Sequence, residues 1–198
     1  MVREAELVAA IDAVYDAATA TDRWSGALES ICTCLDCAAM NLVMEGPGLP
    51  RQGVVANYGF DPELVQAYNE HYITIDPVNQ VGRNMRPGQL VASNHLMGDE
   101  QWMRTEIYTD LSRKHGVFYI LGSLLDRGAE GYAGVAVLRS RRAGPFEGEV
   151  LERFRRVVPH LQRAVAVHRR LIRAESRSGT LESLLDHLEL AVVLVDSE

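Results

Sequence analysis

Residues 117–125 read Val-Phe-Tyr-Ile-Leu-Gly-Ser-Leu-Leu, residues 126–131 Asp-Arg-Gly-Ala-Glu-Gly, and residues 132–139 Tyr-Ala-Gly-Val-Ala-Val-Leu-Arg. Two strand-forming runs flank a turn rich in glycine, which predicts a β-hairpin. On its N-terminal side, Asp99 to His115 has helical patterning and Gly116 supplies the C-terminal cap. On its C-terminal side, Pro145 ends the sheet region and a long helix is expected from Phe146 to about Ala174.

Further out, Leu7, Val8, Ile11, Val14 and Tyr15 keep helical spacing within residues 3–18, and Trp24, Leu28, Ile31 and Leu35 keep it within 23–35. Ala38–Met44, Gly53–Tyr58 and Gln89–Ala92 read as strands. Asp61-Pro62-Glu63 opens a helix running to about His71, with Asp61 at the N-cap and Pro62 at the first helical position. The order is two helices, two strands, helix, strand, helix, hairpin, helix. Short connections favour an antiparallel sheet of about five strands flanked by helices, an α+β arrangement with a long C-terminal helix.

The chain has 198 residues, 47% of them hydrophobic and 24% charged, enough for one cored domain and a small extra piece. A formal net charge of −7 makes the whole chain a poor nucleic-acid binder. The charge is uneven: residues 151–177 hold eight arginines against Glu152 and Glu175, a net +6. No membrane span and no signal peptide are read, and three cysteines clustered at 32, 34 and 37 do not suggest a disulfide framework. A reduced, cytoplasmic protein is expected.

Residues 57–78 carry Asn57-Tyr58, then a helix bearing Tyr68 and Tyr72, then Asp76-Pro77. This order resembles the ligand-binding segment in the sensory domain of LuxR-type quorum-sensing regulators. Lys114-His-Gly116, Gly131 and Gly134 in the hairpin, and Pro159-His-Leu-Gln-Arg163 on the long helix extend the resemblance over roughly residues 5–175. It implies a GAF/PAS-like sensory domain over residues 1–175 that binds a small molecule or a partner and is not an enzyme. The ligand-binding residues it implies are Tyr58, Leu64, Tyr68, Tyr72 and Asp76; Trp102, Tyr108 and Phe118 are separate candidates for the other wall. On residue chemistry alone, Tyr68 and Tyr72 share a helix face and offer apolar contact with a polar tip. The competing reading makes the tyrosines plain core and Asp76 a helix cap.

The sequence departs from the lactone receptors of that family. Leu64 stands where they carry tryptophan, Tyr68 to Asp76 is one residue shorter, and a second family tryptophan falls near Val91. Tyr132–Arg139 is expected to turn only apolar groups inward, with no hydroxyl before Ser140. A ligand other than a typical acyl-homoserine lactone is therefore expected, since each lost hydrogen bond removes roughly 1 kcal/mol net.

Leu151, Phe154, Val158, Leu161, Val165, His168 and Ile172 form a heptad seam. It suits either packing on the sheet or a homodimer that relays signal. Residues 176–198 read as a linker with a helix break at 176–180, followed by the start of a truncated PAS-like module. DNA contact is expected only through a helix-turn-helix absent from this chain. A GAF-like input domain of a sensor kinase or cyclic-dinucleotide enzyme is the alternative, and a redox protein using Cys34 and Cys37 a weaker one. No nucleophile elbow, phosphate loop or metal-binding histidine motif is present, so no cofactor, metal or catalytic residue is expected.

Overall fold

The computed structural model describes residues 2–46, 54–60, 62–128 and 131–186. Helices α1 (Val2–Ala17) and α2 (Trp24–Leu35) precede strands β1 (Ala39–Glu45) and β2 (Val54–Tyr58). Helix α3 (Pro62–Ala67) runs into a π-helical turn, Tyr68–Tyr72, and helix α4 (Pro77–Gly82) follows. Strand β3 (Leu90–Ala92), a second π-helical turn (Ile107–Ser112), the hairpin β4 (Tyr119–Gly128) and β5 (Gly131–Arg139), and helix α5 (Gly148–Asp186) complete the described chain. The N-cap reading of Asp61 and the PAS-like reading of residues 187–198 fall outside the described residues.

The five strands form one antiparallel sheet in the order β2-β1-β5-β4-β3. The hairpin read first from the sequence thus supplies the central strand, β5. Side-chain alternation divides the sheet into two faces. Met40, Leu42, Met44, Leu121, Ala133, Val135 and Val137 face α2 and α5, and α1 packs on those two helices. Ala39, Val91, Ile120 and Leu138 pack beneath the segment from α3 to Val117.

One bulge decides where β2 points. The register slips between Leu42 and Val43, so Ala56 pairs with Leu42 but Val54 pairs with Val43. Ala56 and Tyr58 share the helical side with their partners Leu42 and Met40, while the extra residue, Val55, lets Val54 turn to the opposite side. The sharp turn after β2 needs Gly59, whose φ is +83° and whose missing Cβ would lie 2.5 Å from the Ala38 carbonyl oxygen.

The buried stripe of α1 is Leu7, Ala10, Val14 and Ala17, whereas Val8 and Tyr15 of the expected stripe are exposed. Helix α5 continues through residues 176–180 to Asp186, so the expected break there is absent. Its seam is used inside the chain: Phe154, Val158, Leu161 and Val165 are at most 2% exposed and pack in the core, with Leu151 against its edge. The side chains expected to form a dimer interface are thus taken up by packing within the chain. Two of the arginines are also not on the solvated face: Arg153 and Arg169 are buried. His168 sits under Trp24 with Nδ1 3.3 Å from the Ala18 carbonyl oxygen.

Candidate functional site

Between the sheet and its α3-to-Val117 cover lies a cavity of about 40 Å³, room for a few water molecules. Phe60, Leu64, Val65, Ile107 and Leu111 give it an apolar roof, and Ile120 and Leu138 an apolar floor. Its polar groups are few and convergent: Asn41, Tyr68, Asp76, Ser112 and His115. Both π-helical turns reach it, the first through Tyr68 and the second through Ile107, Leu111 and Ser112. Such wide turns, closed here by bonds like Arg113 N–H to the Tyr108 carbonyl at 2.9 Å, recur where a helix is bent to serve a site.

Asp76 follows the α-helical turn Ile73–Ile75, which continues the first of these, and starts the next helix. Pro77 forbids the helix from continuing through it, so Asp76 becomes the N-cap of α4. Its Oδ1 accepts from the Val78 N–H at 2.8 Å and the Asn79 N–H at 3.4 Å, and its Oδ2 accepts from the Tyr68 hydroxyl at 2.9 Å. Burial pushes the Asp76 carboxyl above its ordinary pKa, and these three donors pull against that rise. Burial, followed by the neighbouring Asp76 charge, pushes the Tyr68 hydroxyl well up. A carboxylate offers roughly four lone-pair sites, so three bonds leave acceptor capacity on the cavity wall.

Tyr68 and Asn41 also line a second space of about 30 Å³, bounded by Val43, Asn79, Ser123 and Tyr132. The Tyr68 ring therefore stands between two small voids. Tyr132 donates to Asn79 Oδ1 at 3.3 Å and lies under the Arg83 guanidinium, 4.6 Å from ring centre, while Arg83 pairs with Glu45. From α5, Arg169 bonds the carbonyls of Glu45 and Tyr132 and the carboxylate of Asp126. A continuous run of polar contacts thus joins this second space to α5.

Of the expected site residues, the structure brings together Leu64, Tyr68 and Asp76. Asp76 is both a cap and part of the cavity wall, so the two readings of it coexist. Three other expected residues do not line this cavity. Tyr58 packs on the helical side of the sheet, where its partner Met40 also points. Tyr72 packs edge-on against His71 at 4.9 Å and borders the core without lining the cavity. Trp102 is buried in an aromatic run with Tyr108 and Phe118 beside Ser93 and Asp99, away from the cavity. Tyr132 also overturns the expectation of a wholly apolar inner face on β5, since its hydroxyl turns inward. Asn41, Ser112 and His115 were not anticipated; the polar Asn41 amid the apolar run Ala38–Met44 was the one available signal.

Among the described residues no group of three His, Cys, Asp or Glu side chains is placed to hold a metal ion. No helix among them is long and apolar enough to cross a membrane.

No family model and no curated protein sequence matches this chain. Solved structures do match. The ligand-binding domain of VqsR from Pseudomonas aeruginosa superposes with a TM-score of 0.64 at 15% identity, over 80% of this chain and 93% of that one. CepR2 from Burkholderia cenocepacia, an N-acylhomoserine-lactone-dependent LuxR-family transcription factor, gives 0.58 at 16% identity, over 85% and 96%. The GAF domain of a phosphoenolpyruvate-protein phosphotransferase from Coxiella burnetii gives 0.57 at 13% identity, over 87% and 97%. The chain has the α+β fold common to the autoinducer-binding-like domains of LuxR-type regulators and to GAF sensory domains.

Proposed function

We propose that this chain is the signal-sensing domain of a LuxR-type transcriptional regulator, binding a small amphiphilic molecule at Leu64, Tyr68 and Asp76. The observation that carries this reading is the buried Asp76 carboxylate, which keeps acceptor capacity on the wall of an apolar cavity. A ligand with an N–H or O–H donor beside a short apolar body matches it. Small-molecule sites usually hold roughly 300–1,000 Å³, far above the present cavity. Uptake therefore requires the α3 cover to move outward, and rotation of Tyr68 joins the two voids. The small volume of the cavity and Leu64 both speak against a typical acyl-homoserine lactone as ligand.

In this reading occupancy changes how the cover and β5 seat against α5, and α5 carries the change onward. The output is DNA binding through a helix-turn-helix module outside this chain, in the cytoplasm, with no catalytic step. Homodimerisation belongs to the proposal through a face other than the buried seam. A GAF-like input domain of a signalling enzyme is the second reading, supported by the fold shared with the phosphotransferase GAF domain.

The test is a thermal-shift screen of small amides, hydroxy acids and acyl-homoserine lactones on the purified chain, with Asp76→Asn as control. A saturable rise in Tm from a compact amide or hydroxylated compound, lost in Asp76→Asn, is expected. Tight binding of a long-chain lactone, or binding indifferent to Asp76, overturns the ligand assignment.

A further inference from the structure

The sulfurs of Cys32 and Cys37 lie 2.8 Å apart. That is closer than two unbonded sulfurs normally rest, and a disulfide of about 2.05 Å needs less than about 1 Å more. The end of α2 creates this contact. Asp36 adopts the left-handed conformation (φ 53°, ψ 49°) and turns the chain back, so that the Cys37 N–H donates to the Cys32 carbonyl at 3.0 Å. This cap places side chains five residues apart on one side. Cys34, the partner that Cys-x-x-Cys spacing suggests for Cys37, is instead buried beside Arg153 of α5. All three thiols are free.

We propose that Cys32 and Cys37 form a reversible intramolecular disulfide, making the C-terminus of α2 a redox-modification site. The oxidant is a low-molecular-weight disulfide. Cys37 is half-buried and Cys32 is 2% exposed, so Cys37 is the entry thiol. Cys37 loses its proton to solvent and its thiolate attacks one sulfur of the oxidant. The oxidant's S–S bond breaks, one small thiolate leaves, and a mixed disulfide forms on Cys37. Cys32 then gives up its proton and attacks the Cys37 sulfur, expelling the second small thiolate. Two electrons pass from the cysteine pair to the oxidant, which departs as two thiols carrying the two protons. Contact with Cys37 and burial both hold the Cys32 thiol protonated until that second step.

The position gives the modification a route to the rest of the fold. Arg139 at the end of β5 donates to the carbonyls of Asp36 (2.9 Å) and Leu35 (2.6 Å), and Arg153 of α5 donates to that of Cys34 (2.6 Å). A change of geometry at residues 36–37 is felt directly by β5 and α5. This inference is independent of what the cavity binds.

The test treats the folded chain with oxidised glutathione, quenches with an alkylating agent, unfolds it and counts alkylated cysteines by mass spectrometry. The expected result is loss of two of the three alkylatable thiols, without a dimer on a non-reducing gel, and full recovery with a reducing thiol. Fragmentation of the peptide spanning residues 24–51 finds the alkyl group on Cys34. Cys34→Ser keeps the cross-link and Cys37→Ser abolishes it. Three thiols still alkylatable after treatment, a bond involving Cys34, or a bond between two chains overturns the proposal.

Discussion

Arg169 of α5 and Asp126 of β4 meet at 2.6 Å, and the same guanidinium also holds the backbone carbonyls of Glu45 and Tyr132. One side chain therefore ties α5 to β1, β4 and β5. The Arg169 side chain is 3% exposed and that of Asp126 40%. Arg169→Ala leaves two part-buried carbonyls and a carboxylate without their partner, and is expected to lose about 2–4 kcal/mol in urea unfolding. Asp126→Ala is expected to lose less, because the guanidinium keeps its two carbonyl partners. Equal losses from both substitutions contradict this arrangement.

Tyr68→Phe removes one of three donors to Asp76 and is expected to cost about 1–2 kcal/mol. The Asp76 carboxyl is already held above its ordinary pKa by burial, so the folded chain binds its proton more firmly than the unfolded one. That contribution is fully present at low pH and declines as pH rises through the folded value. Without the Tyr68 hydroxyl the folded value rises further, and the decline extends to higher pH. Carbon-13 NMR titration of the Asp76 carboxyl reads the shift; a downward move refutes the hydrogen bond.

His168 has the opposite sign. Burial holds its pKa below the ordinary value, partly countered by the Ala18 carbonyl. The folded state thus binds this proton less readily than the unfolded state. Stability is fully present above the unfolded value of about 6.5 and falls as pH drops from there towards the folded value. Urea midpoints measured from neutral pH downward are expected to decline over that interval, and His168→Leu is expected to flatten the decline. An unchanged slope in the variant removes His168 as its source.

Phe154 faces the interior of its own chain and is fully buried. Phe154→Ala is expected to cost about 3–5 kcal/mol through the cavity it leaves. Sedimentation is expected to show the same oligomeric state for variant and parent. Dissociation of an oligomer with little loss of stability places Phe154 in an intermolecular contact instead.

The strands were legible because strand chemistry repeats over short range: all five expected runs fall within a few residues of the observed β1–β5. Less visible was anything set by one inserted residue. The register slip between Leu42 and Val43 puts Val54 and Tyr58 on opposite sides of the sheet, and no local pattern announces it. The two π-helical turns defeat a reading based on 3.6 residues per turn, and the expected helix Asp99–His115 resolves into a short turn and a π-helical one. At the site, Leu64, Tyr68 and Asp76 sit close in sequence and were readable together. Asn41 and His115 reach the same cavity from β1 and from the far end of the cover, which only the sheet register reveals. The buried arginines 153 and 169 were hidden because charge on a helix ordinarily marks its wet side.

The arginines that close the last turn of α2 also set the order in which the chain reaches its final state. The carbonyls of Cys34, Leu35 and Asp36 find their donors 119, 104 and 103 positions downstream. At about 5–20 residues per second of synthesis, that turn waits at least about 5 s on the ribosome before either donor emerges. Helix α2 can form early, but its end is completed only when β5 and α5 dock. Completion of that cap is therefore a late, long-range event in folding, and the segment joining α2 to β1 remains open to nascent-chain interactions until the C-terminal half has been made.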